Sequence, residues 1–235
     1  MTRLNLGLLG LVASVAAVPL ATNESVAPPK AAVSCASGLY MIAARGSGQD
    51  PGEGSIAEVT TKIKALIPGS VSVAVDYPAS IYDDALYPIS VSDGIKDTIS
   101  KVHDYVDTCG SSSRIALLGY SQGGNVMTDA LAGGVLKPDP LTSAYTQYIT
   151  AVAVFGDPSF TAGQSFDVGN ATKSGIFKRG GDSLELLSSF SGVLRSYCMV
   201  HDTFCATGDS LSVHSAEVST FADAAAEFVA SKALL

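Results

Sequence analysis

Ile115-Ala116-Leu117-Leu118-Gly119-Tyr120-Ser121-Gln122-Gly123-Gly124 is an apolar run that passes straight into G-x-S-x-G. A serine hydroxyl is a weak nucleophile at neutral pH, so chemistry that uses one holds it on a sharp strand-to-helix turn where a base reaches it. Gly119 and Gly123 suit that turn, because a side chain at either would obstruct the approach of helix to strand that pushes Ser121 outward. Downstream, Val126, Met127, Ala130 and Leu131 recur at helical spacing. Strand, turn and helix are therefore all present, the context that a chance G-x-S-x-G in a chain with 23 glycines would lack. The same turn places the amide of Gln122 at a helix N-terminus, where it stabilises a developing oxyanion.

Working outward, Leu39 to Ala44 is a continuous apolar run, the mark of a strand buried on both faces, and it ends in Arg45-Gly46-Ser47-Gly48, a loop able to turn backbone amides inward. Ser55-Ile56-Ala57-Glu58 reads as a capping box ahead of Ile56, Val59, Ile63 and Leu66 at helical spacing. Val71 to Val75 predicts a strand, Asp76 to Ile89 a long loop, and Ile95, Ile99, Val102 and Val106 a helix ended by Gly110. Ile149 to Phe155 is a further buried strand, closed by Gly156-Asp157-Pro158. Phe160 to Ser189 is Gly- and Ser-rich and resists assignment; Val193 to Tyr197 reads as a short last strand and Ala216 to Val229 as a closing helix. Alternating strands and helices give an α/β fold, a parallel sheet with helices on both faces.

The composition sets the class. At 235 residues, 47% hydrophobic and 15% charged, the chain forms one domain with a large core. A net charge of -8 offers no basic surface for phosphates, which argues against nucleic acid as a partner. Met1-Thr2-Arg3 followed by an apolar run to Ala17 reads as a secretory signal peptide over residues 1–17, too short before Pro19 for a membrane anchor. Residues 18–34, with Pro28-Pro29 and no apolar period, read as a pro-segment or flexible arm, and 35–235 as the single catalytic domain. The mature protein is expected to be secreted, extracellular and monomeric, with no membrane contact once the signal is removed. Cys35, Cys109, Cys198 and Cys205 are an even set for an oxidising compartment: three pairings exist, and the short Cys198 to Cys205 interval invites a local bridge, leaving Cys35 with Cys109. No tight ligand pairs call for a metal. Asn23 and Asn170 head glycosylation sequons.

A serine nucleophile needs a histidine base and an orienting acid, in this layout in the chain order serine, acid, histidine. Of the three histidines, His103 precedes the serine and reads as a partly exposed helix residue, and His201 adjoins Asp202, an awkward arrangement for a ring and carboxylate to meet. His214 remains, in a polar loop, Gly208 to Ser215, ahead of the last helix. Among Asp157, Asp167, Asp182, Asp202 and Asp209, Asp202 is preferred because it lies inside the Cys198 to Cys205 loop; Asp157 is second, since Gly156-Asp157-Pro158 is equally a capped turn.

Together, Arg45-Gly46-Ser47, Gly119-Tyr120-Ser121-Gln122-Gly123, and Cys198 with Asp202, Cys205 and His214 resemble the cutinase and acetylxylan esterase family of small secreted serine esterases, over nearly the whole chain from Cys35. The resemblance implies a three-layer α/β/α sandwich around a parallel sheet of about five strands, a minimal α/β-hydrolase without a cofactor. It implies Ser121 as nucleophile, His214 as base, Asp202 as its acid, and an oxyanion hole from the amides of Gln122 and Ser47 with the Ser47 hydroxyl. The two-bridge cysteine pattern matches the cutinase side, as does Arg45-Gly46-Ser47. Asp76-Tyr77-Pro78-Ala79, the serine motif with Val126-Met127, and Gly156-Asp157-Pro158 are similar to the acetylxylan esterase branch. Thr207 to Ser215, mostly polar, is a poor platform for a fatty chain, and Tyr77, Tyr82 and Tyr87 are candidates to stack on sugar rings. The favoured substrate is therefore an acetylated polysaccharide such as xylan, with a polyester or lipid ester as the alternative.

Two remoter classes compete with this reading. Gly52-Glu53-Gly54-Ser55-Ile56-Ala57 reads G-x-G-x-x-A, with Asp76 ending the next strand, as a dinucleotide-binding oxidoreductase requires; but the first glycine stands well beyond the strand end at Ala44, with Pro51 between. A non-catalytic polysaccharide-binding protein is disfavoured because serine, acid and histidine are all available.

Overall fold

The computed structural model of the protein describes residues 1–2, 33–82 and 85–234, and the fold below is that of the unit beginning at Val33. The expected signal peptide, the arm and the Asn23 sequon fall outside the described residues, save for positions 1, 2, 33 and 34. Along the chain run β1 (Tyr40–Ala44), α1 (Ala57–Leu66), β2 (Val71–Ala74), α2 (Tyr87–Cys109), β3 (Ile115–Tyr120), α3 (Gln122–Ala132), α4 (Ser143–Thr146), β4 (Ile149–Phe155), β5 (Asp167–Gly169), α5 (Gly181–Ser188), β6 (Leu194–Cys198) and α6 (Leu211–Ala233). The strands form one parallel sheet in the order β2-β1-β3-β4-β6-β5. The first and last connections of that order leave β3 and β4 at its centre, which is why their residues read as unbroken apolar runs.

Alternation along each strand divides the core in two. Ile42, Ala44, Leu117, Val152 and Val154 face α2 and α3, whereas Met41, Ala43, Leu118, Ala151, Ala153 and Phe155 face α1 and α6. On that second face alanine meets alanine: Ala151 and Ala153 of β4 lie opposite Ala222, Ala225 and Ala226 of α6. Small side chains on both surfaces let the closing helix sit close to the sheet, and that position matters because α6 carries His214.

Four local expectations need correction. The sheet has six strands where about five were expected. The additional one, β5, is a three-residue edge strand in the Gly- and Ser-rich stretch, held by β6 and too short to show a period. Ser55 does not cap α1: its hydroxyl accepts from Gln49 Nε2 (2.5 Å), and a 3-10 turn, Gly54–Ile56, precedes the helix. The loop expected to reach Ile89 ends earlier, since Pro88 fits the first turn of α2, where its missing N–H is not needed. Finally, α6 begins at Leu211, with the Ser210 hydroxyl accepting from Val213 N at 3.2 Å, so His214 stands in the first turn of a helix and not in the loop before it.

Arg179 ties the far side of the site together. Its Nη2 donates to Asp129 Oδ1 (2.5 Å) and Thr128 Oγ1 (3.0 Å) on α3, and its Nη1 donates to Gly133 O (2.5 Å) and Ser183 Oγ (2.6 Å). Asp157, equally buried, accepts from Thr128 Oγ1 (2.8 Å) and the Ser159 amide (2.7 Å). Burial pushes the Asp129 carboxyl up to about 6, against the pull of Arg179, so it is ionised at neutral pH only because that guanidinium is beside it. Arg179→Met is expected to destabilise the protein by about 3–5 kcal/mol, the cost of stranding a buried charge, or roughly 10 °C in melting temperature for a chain of this size. The loss should be smaller at pH 5 than at pH 8 by calorimetry, because the stranded Asp129 takes up a proton as pH falls.

Candidate active site

Ser121 occupies the turn between β3 and α3 with φ 54° and ψ -118°, a left-handed backbone that ordinary residues avoid. Two bonds hold it there: its N–H donates to Phe155 O (2.8 Å), and its carbonyl accepts from Asn125 N (3.2 Å). The glycines on either side leave no choice of residue. A Cβ on Gly119 would lie 2.3 Å from Gly123 O, and one on Gly123 would lie 2.1 Å from Ala44 O. The helix therefore starts against the ends of β1 and β3 at backbone contact distance.

Facing Ser121 is His214, whose Nε2 stands 2.9 Å from Ser121 Oγ. Its other nitrogen, Nδ1, is 2.7 Å from Asp202 Oδ2. Asp202 is fully buried, and its second oxygen accepts the amides of Phe204 (2.7 Å) and Cys205 (2.8 Å). The carboxylate thus has partners on both oxygens and a fixed direction. The imidazole is gripped on its faces as well: Tyr120 stacks on it at 5.1 Å and 28°, and Phe204 meets it edge-on at 4.6 Å and 65°. Tyr120 also donates its hydroxyl to His214 O (3.1 Å), and burial pushes that phenol up to about 12, so it stays a donor. Behind the ring Gly156 is required, because a Cβ there would come within 2.8 Å of His214 Cε1.

Both disulfides form, Cys35 with Cys109 and Cys198 with Cys205. The second closes the seven-residue interval that carries Asp202. The loop after β1 is anchored by Arg45, buried, which donates to Gln49 O (2.9 Å) and Tyr77 O (2.7 Å); in return the Tyr77 hydroxyl donates to Arg45 O. Gly46 N donates to Gln49 Oε1 (2.9 Å) and Gly48 N to Ala79 O (2.7 Å), which leaves Ser47 between two pinned neighbours at the rim of the cleft. Gln122 opens α3, its side chain fully buried: Nε2 donates to Ser80 O (3.1 Å), and Oε1 accepts from Ser90 Oγ (3.2 Å).

A cleft of about 270 Å³ opens over Ser121 and His214. Its walls are Ile81, Tyr82, Tyr87, Ile176 and Phe204. From the polar stretch Thr207 to Ser215, only His214 and Ser215 line it, so that stretch says little about the acyl side. A larger cavity of about 550 Å³ adjoins, sharing Tyr87 and Ile176 and lined further by Leu136, Phe177 and the Asp129–Arg179 pair. Of the tyrosines considered for sugar stacking, Tyr82 is exposed at the cleft, Tyr87 is buried but lines it, and Tyr77 is buried beneath Arg45.

The remaining candidates go elsewhere. His103 stacks on Tyr145 (3.9 Å), and His201 is exposed and pairs with Asp209 (3.2 Å). Asp157 serves the Arg179 network. Sequence reasoning missed Tyr120, Phe204 and Glu217, the last a buried acid one turn beyond His214. The anchoring role of Arg45 was also not read from the sequence, though a lone cation closing an apolar run is a usable signal of a buried anchor. Among the described residues, the one cluster with metal-ligand spacing is Cys198, Cys205 and Glu217, and its two sulfurs are bonded to each other. No helix among those residues is long and apolar enough to cross a membrane.

This arrangement has relatives. Residues 35–233 match the family model described as Cutinase. Acetylxylan esterase 2 of Talaromyces purpureogenus is 34% identical over 96% of this chain and 95% of its own. Cutinase 11 of Verticillium dahliae is 31% identical over 85% of this chain and 70% of its own. A solved structure of an iodinated complex of acetyl xylan esterase superposes with a TM-score of 0.77 at 33% identity, covering 85% of this chain and 99% of that one. With a family match that spans the whole sheet and reaches the last turn of α6, the chain belongs to the cutinase family, and it is a carboxylic ester hydrolase.

Proposed function

We propose that the protein is a secreted serine esterase that works through Ser121, His214 and Asp202 and removes short acyl groups, acetyl above all, from a polysaccharide such as xylan. The observation that carries this reading is the unbroken hydrogen-bonded path from Ser121 Oγ through His214 to Asp202, opening on a cleft. Ser121 Oγ attacks the ester carbonyl while His214 Nε2 takes its proton. The carbonyl oxygen, now an anion, receives N–H bonds from Gln122 and Ser47, with the Ser47 hydroxyl in support. Collapse expels the alcohol, protonated by His214, and water repeats the sequence on the acyl-serine. Asp202 accepts from His214 Nδ1–H throughout, which fixes the tautomer that leaves Nε2 basic.

The acetylated substrate is supported by the similarity to acetylxylan esterases over nearly the full length of the chain. A second reading, hydrolysis of longer-chain esters or polyesters, draws on the apolar cleft walls and the adjoining cavity. Residues 1–17 act as the signal peptide in this reading, and the mature enzyme is a monomer that needs no cofactor. Asn170 is an exposed sequon whose Oδ1 accepts from Val200 N (2.8 Å).

Ser121→Ala should lower turnover of p-nitrophenyl acetate by about 10⁴ or more, with the circular dichroism spectrum and melting unchanged; full activity in that variant would refute the nucleophile. Acetate release from acetylated xylan should exceed release of fatty acid from a long-chain ester or a polyester, and the reverse order would favour the second reading. Removing either disulfide as a Cys→Ser pair should cost about 2–4 kcal/mol. Loss of Cys198–Cys205 should in addition lower kcat, whereas loss of Cys35–Cys109, far from the acid, should leave kcat near its original value.

A further inference from the structure

Glu217 has no part in the chemistry just described, yet it is fully buried beside it, three residues after His214 on α6. Its Oε1 accepts the Met199 amide (2.7 Å) at the point where β6 gives way to the loop that carries Asp202. The same oxygen lies 3.6 Å from Cys205 Sγ, so it touches the disulfide that closes that loop. Its Oε2 is buried and makes no hydrogen bond in the resting geometry. The titratable groups that face this carboxyl are Asp202 from the loop and Tyr120 from β3, with His214 on its own helix bonded to Asp202. None of the three is a fixed cation, so nothing among them offsets a charge on Glu217.

We propose that Glu217 is a positioning residue that works as a neutral acid: its carboxyl group fixes the start of the loop carrying Asp202 and, by staying uncharged, leaves Asp202 as the single anion behind His214. The inference rests on the reading of Ser121, His214 and Asp202 as the ester-cleaving set. Burial first, and then the charge and hydrogen-bonding demand of Asp202, push the Glu217 carboxyl up to about 9. Below that pH, Oε2 carries a proton that it offers toward its neighbour. Above it, two carboxylates share a dry space, repel each other, and pull the acid away from His214. Because Glu217 lies behind the acid and does not line the cleft, the damage falls on kcat and spares KM.

Folding carries the same sign. A glutamate raised from its usual range to about 9 favours the folded state below about pH 4.5 and loses that contribution as pH climbs toward 9, since only the unfolded chain ionises in between.

Glu217→Gln separates the alternatives, because its carboxamide still accepts from Met199 N–H and presents a donor that cannot ionise. At neutral pH its kcat and KM on p-nitrophenyl acetate should lie within about twofold of the original. As pH rises through about 9, kcat of the original enzyme should fall at constant KM while that of Glu217→Gln holds level. Between about pH 4.5 and 9 the melting temperature of Glu217→Gln should gain on that of the original. Glu217→Leu, which leaves the Met199 amide unpaired, should lose at least tenfold in kcat at every pH. Superimposable alkaline limbs in the original and Glu217→Gln would overturn the proposal, as would a tenfold loss in Glu217→Gln at neutral pH, which would mean that Glu217 acts as an anion. Either result leaves the serine mechanism standing. An original enzyme that hydrolyses no ester would instead remove that mechanism, and this proposal with it.

Discussion

The site depends on how closely the N-terminus of α3 approaches the ends of β1 and β3. Gly123 brings the helix within 2.1 Å, measured from where a Cβ would stand, of the Ala44 carbonyl, and Gly119 permits the same on the other side. That contact strains Ser121 into a left-handed backbone, a cost of about 1–3 kcal/mol that the apolar packing of β3 and α3 offsets. In return the hydroxyl projects above the sheet, and the first amides of α3 open on the same space. All the other parts are placed by the same edge. The Arg45 loop leaves β1, Gly156 leaves β4, and the acid loop leaves β6, each at the carboxyl end of a parallel strand, where such sheets put their chemistry.

The histidine is held with less strain and more partners. Its backbone belongs to a capped helix packed on alanines, its ring lies between Tyr120 and Phe204, and its Nδ1 meets a carboxylate whose other oxygen is saturated by two amides. A ring stacked on Tyr120, met by Phe204 in a T-shaped contact and bonded at one nitrogen keeps the other nitrogen aimed at Ser121 with little orientational freedom left to lose. The disulfide and the Glu217–Met199 bond act on the acid, one from each side of its loop. Orientation here comes from a stack of contacts, of which the Asp202–His214 bond is only the innermost.

Much of this was legible in the sequence, and the reasons differ by element. β4 was legible to the residue and β3 from its first residue, because central parallel strands are apolar on both faces and bounded by turns. Ser121, Asp202 and His214 emerged from motif, chain order and the shortage of histidines, and the fold brings their side chains together. What escaped notice has no local signature. β5 is three residues stabilised by a neighbour, and the first turn of α6 is masked by Ser212 and Ser215, whose polarity imitates a loop. Tyr120 sits at the free position of G-x-S-x-G, and Glu217 looks like an ordinary helix surface acid until burial is known. The polar stretch around His214 carries little information about the substrate for the same reason: composition near a residue in sequence is not composition around it in space.

In the proposed reading, catalysis and selectivity reside in different parts of the chain. The residues proposed to meet the ester carbonyl sit on strand ends and helix starts, whose positions are set by core packing. The cleft walls come from connections: Ile81 and Tyr82 before α2, Ile176 after β5, and Phe204 within the loop that carries Asp202. Tyr87 and Ile176 belong to both the cleft of about 270 Å³ and the cavity of about 550 Å³ and form the partition between them. Tyr87 is buried, its ring against Phe177 at 5.8 Å and its phenol kept neutral by desolvation. Moving it would expose apolar surface and open the α2 start, so the partition resists. In the proposed reading, the choice between short and long esters turns on how Tyr87 and Ile176 pack, a matter independent of the serine, histidine and acid themselves.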